Sequence, residues 1–261
     1  IGVFDSGIGG LTVANAIIRH LPKEQIVYFG DTAHLPYGDK SADAIRYYCI
    51  KISKFLLDQG CKMIVIACNS ASSAAYNILL DFFEGQTLFV NVVDPLVQTV
   101  VNKRFQKVGV IATKATVRSD IYRLKLLERQ PNLKVASLAT PLLAPMIEEG
   151  YAQNKIGQAI LENYLSDTSL KDIEALLLSC THYPLIRPAI EAYFDHRVEI
   201  FDSTDVVAKE VSRKLKDHQL LNDGSQSPQH RFYVSDFTSS FEETTRIFYH
   251  EKIGLEHCSI W

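Results

Sequence analysis

Ile64-Val65-Ile66-Ala67-Cys68-Asn69-Ser70-Ala71-Ser72 is an apolar run that stops at a thiol and passes through small amide and hydroxyl residues into a helical pattern. A second stretch, Leu176-Leu177-Leu178-Ser179-Cys180-Thr181-His182-Tyr183-Pro184, has the same plan. Each run has the length of a buried strand. A cysteine therefore stands at the carboxyl end of a strand in each half of the chain, where open α/β sheets hold their ligands. One cysteine closing an apolar run is ordinarily packing. Two in matched settings point to a pair addressing one site.

Outward from these stretches, the chain alternates strand and helix patterns and then repeats itself. Ile1 to Phe4 reads as a strand that Asp5-Ser6-Gly7-Ile8-Gly9-Gly10 turns into a helix over Leu11 to His20. Glycines at such a junction let backbone N–H groups face an anion. The spacing is not that of a dinucleotide fingerprint, and Asp5 would repel a pyrophosphate. A tight turn with no ligand is an even alternative on the glycines alone, while Asp5 and Ser6 favour a ligand carrying an ammonium group.

Gln25 to Gly30 is the next strand, and Pro36-Tyr37-Gly38 forms a turn in the loop after it, with Tyr37 equally readable as an aromatic folded onto the core. Ser41 is expected to cap a helix reaching Gln59, stopped by Gly60. The helix after Cys68 is expected to start near Ser72, so its dipole should lower the thiol pKa and make thiolate accessible near neutral pH. Leu88 to Val92, closed by Asp94-Pro95, is a fourth strand.

At Val108-Gly109-Val110-Ile111-Ala112-Thr113 the opening pattern returns, and the 68 residues from Ala112 to Cys180 compare with 63 from Asp5 to Cys68. Such a half-molecule repeat implies two similar open-sheet α/β domains related by a pseudo-two-fold axis, each giving one thiol to the interdomain cleft. Thr113 and Thr116 occupy the first turn of the second half. Lys134 to Leu138 is a strand, followed by a loop and short helix with Glu148 and Glu149, one of which is a candidate for the cleft although surface carboxylates are the commoner case. His182, two residues past Cys180, suits a thiol partner or a carboxylate holder; read alone it is more often a turn residue. Glu199 to Phe201 and Thr204 to His218 follow as strand and helix, then a polar loop over Leu221 to His230, a strand over Arg231 to Ser235 and a helix over Phe241 to His250. The expected domains are 1–95 plus 205–261, and 96–204.

Composition bounds the function. With 261 residues, 47% hydrophobic and 22% charged, the chain is an ordinary globular protein of two domains. A net charge of −3 gives no electrostatic case for nucleic acid, and no apolar run approaches the roughly 18 residues of a membrane span. The chain opens on a strand with no signal-like segment, so the expectation is a protein that is not exported, with a few residues preceding Ile1 because it is not Met. Five cysteines without a Cys-x-x-Cys pair fit reduced thiols in the cytoplasm and exclude a zinc or redox motif. A small molecule is the default ligand. Two thiols on opposite faces of one carbon can take a proton on one side and return it on the other, inverting a stereocentre.

Asp5-Ser6-Gly7-Ile8-Gly9-Gly10, Pro36-Tyr37-Gly38, Ala67-Cys68-Asn69-Ser70-Ala71 and Cys180-Thr181-His182-Tyr183-Pro184 together resemble the glutamate racemases, in the cofactor-independent aspartate/glutamate racemase superfamily. His230-Arg231-Phe232-Tyr233-Val234 is similar to the family's late strand. The resemblance implies that Cys68 deprotonates D-glutamate and Cys180 L-glutamate, with Asp5, His182 and Glu148 assisting the thiols. It implies that Asp5, Ser6, Pro36, Tyr37, Gly38, Asn69, Ser70, Thr113, Thr116, Thr181 and His182 form the substrate-binding set. It also implies no cofactor and no metal, a bacterial cytoplasmic enzyme supplying D-glutamate for peptidoglycan, and a homodimer. Ser70 stands where the family usually has threonine, and Ser179 where it usually has glycine. A racemase or decarboxylase acting on aspartate or a hydantoin, and a two-lobed module that binds an acidic amino acid without turning it over, are the competing readings.

Overall fold

A computed structural model describes residues 1–225, 227–249 and 253–261. Ten strands are found among them: β1 (Gly2–Asp5), β2 (Val27–Gly30), β3 (Met63–Ile66), β4 (Leu88–Asn91), β5 (Lys107–Ala112), β6 (Lys134–Ala139), β7 (Ala175–Ser179), β8 (Glu199–Asp202), β9 (Arg231–Val234) and β10 (Leu255–His257). They form two sheets in which every pairing is parallel, one ordered β10-β9-β2-β1-β3-β4 and the other β6-β5-β7-β8. The first four strands of each half thus share one order: second, first, third, fourth. The half-molecule repeat is visible in this topology, and in both halves the thiol follows the third strand.

Parallel strands joined by helical crossovers are covered on both faces, which is why β1, β3 and β7 are buried throughout and apolar up to the Asp5 and Ser179 that end β1 and β7. Successive side chains go to opposite faces. Val3 and Val65 therefore enter a cluster that runs across both lobes to Leu143, Ile147 and Leu178, while Phe4, Ile64 and Ile66 pack on the outer side against Cys49 and Leu56. A third cluster, with Val110 and Leu177 against Val97 and Leu126, closes the outer side of the smaller sheet. Each fully buried aliphatic side chain contributes about 1.5–3 kcal/mol. The lobes consequently share a core as well as a cleft.

Local signals set most helix limits. Leu11–His20 forms over the expected span, and in the helix Ala42–Asp58 the Ser41 hydroxyl accepts from the Ala44 N–H at 3.2 Å. Two limits differ from expectation. The helix after Cys68 begins at Asn69, because the Cys68 sulfur itself accepts from the Ala71 N–H at 3.5 Å and caps it. Asp94-Pro95 does not close β4 but lies in the first turn of the helix Val93–Val101, where proline needs no N–H partner and Asn91 Oδ1 accepts from the N–H groups of Val93 and Asp94, both at 2.8 Å. The last helix spans Ser239–Tyr249; His250, the expected end, lies outside the described residues, as does Gln226 in the polar loop. The edge strand β10 is three residues long and mostly exposed, too short for an alternating pattern to mark it in the sequence.

Candidate active site

At the end of β1 the chain turns back on itself around Asp5. Its Oδ2 accepts from the N–H groups of Gly7 and Gly10 at 3.2 and 3.1 Å, and the Tyr28 hydroxyl donates to the Gly7 carbonyl at 2.8 Å. Two of the glycine N–H groups expected to face a ligand anion are therefore occupied by the chain's own carboxylate. Oδ1 of Asp5 is buried and unpaired, and burial raises the carboxyl pKa despite the nearby His182. Asp5 sits behind the wall, whereas Ser6 lines the cavity with its hydroxyl 3.6 Å from the Cys68 sulfur.

The thiolate expected at Cys68 is not what the structure supports. Burial, and then the charge of Asp5, push the Cys68 thiol up to about 12. The cap bond from Ala71 and the contact with Ser6 favour the anion too weakly to reverse this. Helix-dipole stabilisation amounts to no more than about 2 kcal/mol even when partly buried, less than the cost of removing an unpaired anion from water. Cys68 rests as a thiol.

Across the cleft, the surroundings of Cys180 have the opposite sign. His182 places Nδ1 3.6 Å from the Cys180 sulfur and Nε2 2.7 Å from Glu148 Oε1. Burial alone would lower the His182 pKa, but hydrogen bonds and charge from Cys180 and Glu148 outweigh it and hold the ring well above its ordinary value. The imidazolium gives negative charge on this sulfur a partner, whereas Asp5 opposes negative charge on the other. Of the acidic pair 148–149, the first is the one turned to this site.

Cys68 and Cys180, each 6% exposed, line one cavity of about 120 Å³ between the lobes. At about 30 Å³ for each water that is room for roughly four, the scale of one small amino acid. Ser6, Pro36, Tyr37, Gly38, Asn69 and Ser70 form the wall from the larger lobe. Thr113, Glu148, Thr181 and His182 form the facing wall. Thr116 does not reach the cavity; it supports the Ser70–Thr113 pair, whose hydroxyls meet at 2.8 Å across the lobes. Tyr37 is packed in a core cluster with its hydroxyl donating to Asp31 at 2.6 Å, and it also lines the cavity, so the core and turn readings both apply. Asn69 Oδ1 accepts from the Tyr122 hydroxyl at 2.6 Å, while its Nδ2 has no partner.

The lobes approach closely. A Cβ on Gly9 would lie 2.4 Å from His182 Cε1, and one on Gly38 would lie 3.0 Å from Thr113 Cβ. Lys114 and Asp39 pair across the rim at 3.2 Å. Sequence reasoning missed this pair and Thr140, whose hydroxyl bonds that of Tyr183 at 2.7 Å beside the cavity. Thr140 follows β6 directly, so the strand-end rule already applied to the cysteines would have found it. Among the described residues no group of His, Cys, Asp and Glu is arranged to hold a metal ion, and no helix is long and apolar enough to cross a membrane.

Comparison with known proteins agrees with this architecture. A family model described as Asp/Glu/Hydantoin racemase matches residues 1–211. A glutamate racemase of Geobacter metallireducens is 37% identical over 258 residues, covering 97% of this chain and 94% of that protein. One from Streptococcus pneumoniae is 36% identical over 261 residues, covering 100% and 98% respectively. The crystal structure of glutamate racemase from Francisella tularensis in complex with D-glutamate superposes with a TM-score of 0.93 at 38% identity, over 99% of this chain and 97% of that one. With a match of this extent across both thiol-bearing halves, the chain belongs to the Asp/Glu/Hydantoin racemase family.

Proposed function

We infer that this protein is an amino-acid racemase that interconverts L- and D-glutamate by proton transfer at the α-carbon between two cysteines. The observation carrying the mechanism is the placement of two buried thiols, at equivalent strand ends of the two lobes, on one cavity of amino-acid size. In the L-to-D direction the Cys180 sulfur takes the α-proton, breaking Cα–H and forming S–H. Cys68, resting as a thiol, gives its own proton to the other face and re-forms Cα–H. The reverse direction exchanges the roles. His182, held by Glu148, balances negative charge on Cys180; Asp5 keeps the Cys68 proton in place.

Ser6, Asn69, Ser70, Thr113 and Thr181 hold the substrate's ammonium and carboxylates by side chains, Pro36, Tyr37 and Gly38 by the loop they form, and Thr116 through Ser70. Charge building on the α-carboxylate is stabilised by such prepositioned donors in a dry cleft, where losing one donor costs about 3 kcal/mol of the barrier. The chain's own groups carry both proton transfers, without an added cofactor. The domains are 1–95 plus 205–261, and 96–204, a division supported by the two strand sets. The enzyme works in the bacterial cytoplasm as a homodimer and supplies D-glutamate for peptidoglycan, with no nucleic-acid or membrane partner.

Chiral chromatography of L-glutamate and L-aspartate incubated with dialysed enzyme tests this reading. Glutamate should racemise and aspartate should not, and Cys68→Ser or Cys180→Ser should each nearly abolish turnover with little change in melting temperature. Preference for aspartate contradicts the substrate; full activity in either serine variant removes that thiol from the mechanism.

A further inference from the structure

Asn69 and Tyr122 meet across the lobe boundary in a way that the two-thiol mechanism does not require. Asn69 opens the helix Asn69–Phe82 on the larger lobe, and Tyr122 lies in the helix Ile121–Arg129 on the smaller one. Both are nearly fully buried, and the phenol donates to Asn69 Oδ1 at 2.6 Å. Asn69 lines the cavity, and the other end of its amide, Nδ2, is buried and has no partner. A buried donor left unmade costs about 1–3 kcal/mol, so a polar group of a bound ligand is the natural acceptor.

We propose that Tyr122 is a positioning residue of the racemase site, fixing the Asn69 amide so that its N–H donors, and not its oxygen, face a carboxylate of the substrate. A side-chain amide has an acceptor at one corner and donors at the other, so holding one corner dictates what the other presents. With the amide turned over, Oδ1 would confront the carboxylate and the phenol hydrogen would lose its acceptor. Burial raises the Tyr122 pKa, which keeps the phenol a donor throughout the neutral and mildly alkaline range. The contact joins the two lobes, so the carboxylate-binding donor is oriented only when they are together. Substrate recognition is thereby tied to the same closed arrangement that brings both sulfurs to one cavity.

The inference rests on the reading of this site as a glutamate racemase with Asn69 among its substrate contacts, and a double-mutant cycle separates the two. Wild type, Tyr122→Phe, Asn69→Ala and the double variant are assayed with L- and D-glutamate, and melting temperatures are recorded alongside. Tyr122→Phe should lower kcat/KM about tenfold, the scale of a weakened hydrogen bond to a charged group. In the Asn69→Ala background the same change should matter less than about twofold, because its means of action is gone. An equal loss in both backgrounds, or none in either, overturns the inference while leaving the racemase reading intact; an inactive wild type overturns both. If Tyr122→Phe does not fold, Asn69→Asp keeps an acceptor for the phenol and removes the amide donors. It should then match or exceed the loss in Asn69→Ala, and wild-type kcat/KM in it overturns the inference.

Discussion

The two thiols are chemically alike as residues and unlike in their settings. Cys68 faces a buried carboxylate and Cys180 an imidazolium, so at rest one sulfur holds a proton and the other has a partner for negative charge. That asymmetry suits removal of a proton from the Cys180 side and delivery from the Cys68 side. It also has a thermodynamic signature. Below pH 9.0, the ordinary thiol value, Cys68 is protonated folded or unfolded. As pH rises from there towards about 12, the unfolded chain releases this proton and the folded chain keeps it, so stability falls. Between pH 8 and pH 10 this group should cost the wild type about 1 kcal/mol more than it costs Cys68→Ser, whose serine does not titrate. Urea unfolding of both proteins at the two pH values checks this; parallel losses would mean that Cys68 titrates in the folded protein as it does in the unfolded chain.

Among elements, the turn after β1 bears most directly on the site. Gly9 leaves no room for a side chain, since its Cβ would overlap the His182 ring and the Thr181 hydroxyl. Gly9→Ala should therefore separate this turn from His182 and reduce kcat on the order of a hundredfold, as misplacement by about 1 Å does elsewhere. Kinetics with both enantiomers measures it, and undiminished turnover would show that the turn and His182 need not touch. The value of these glycines was only partly legible in the chain. Strand-end cysteines, the Ser41 cap and the half-molecule repeat rest on local pattern and were readable. That the turn's N–H groups bind Asp5 rather than a ligand, or that Cys68 is its own helix cap, depends on which partner the folded backbone brings near. The same holds for the Cys68 pKa: the dipole is a local property readable from position, while burial and Asp5 are tertiary and outweigh it. Tyr122 and Lys114 could not be paired with Asn69 and Asp39 from spacing, because those contacts cross from one lobe to the other.

For the whole molecule, two open sheets with one strand order are set so that the ends of their third strands meet over a single cavity. A core continuous through both lobes, the hydroxyl contact of Ser70 with Thr113 and the Asp39–Lys114 pair hold that meeting in place. In the proposed mechanism stereochemical inversion follows from this arrangement, with each lobe addressing its own face of the α-carbon. The direct test is early turnover of L-glutamate in deuterium oxide, with the label at the α-carbon read separately in substrate and product. Transfer between two thiols predicts deuterium in the D-glutamate formed and protium in the L-glutamate recovered. Deuterium entering the recovered L-glutamate as fast as product forms, or substrate protium carried into the product, would mean that one group serves both faces and would contradict the account.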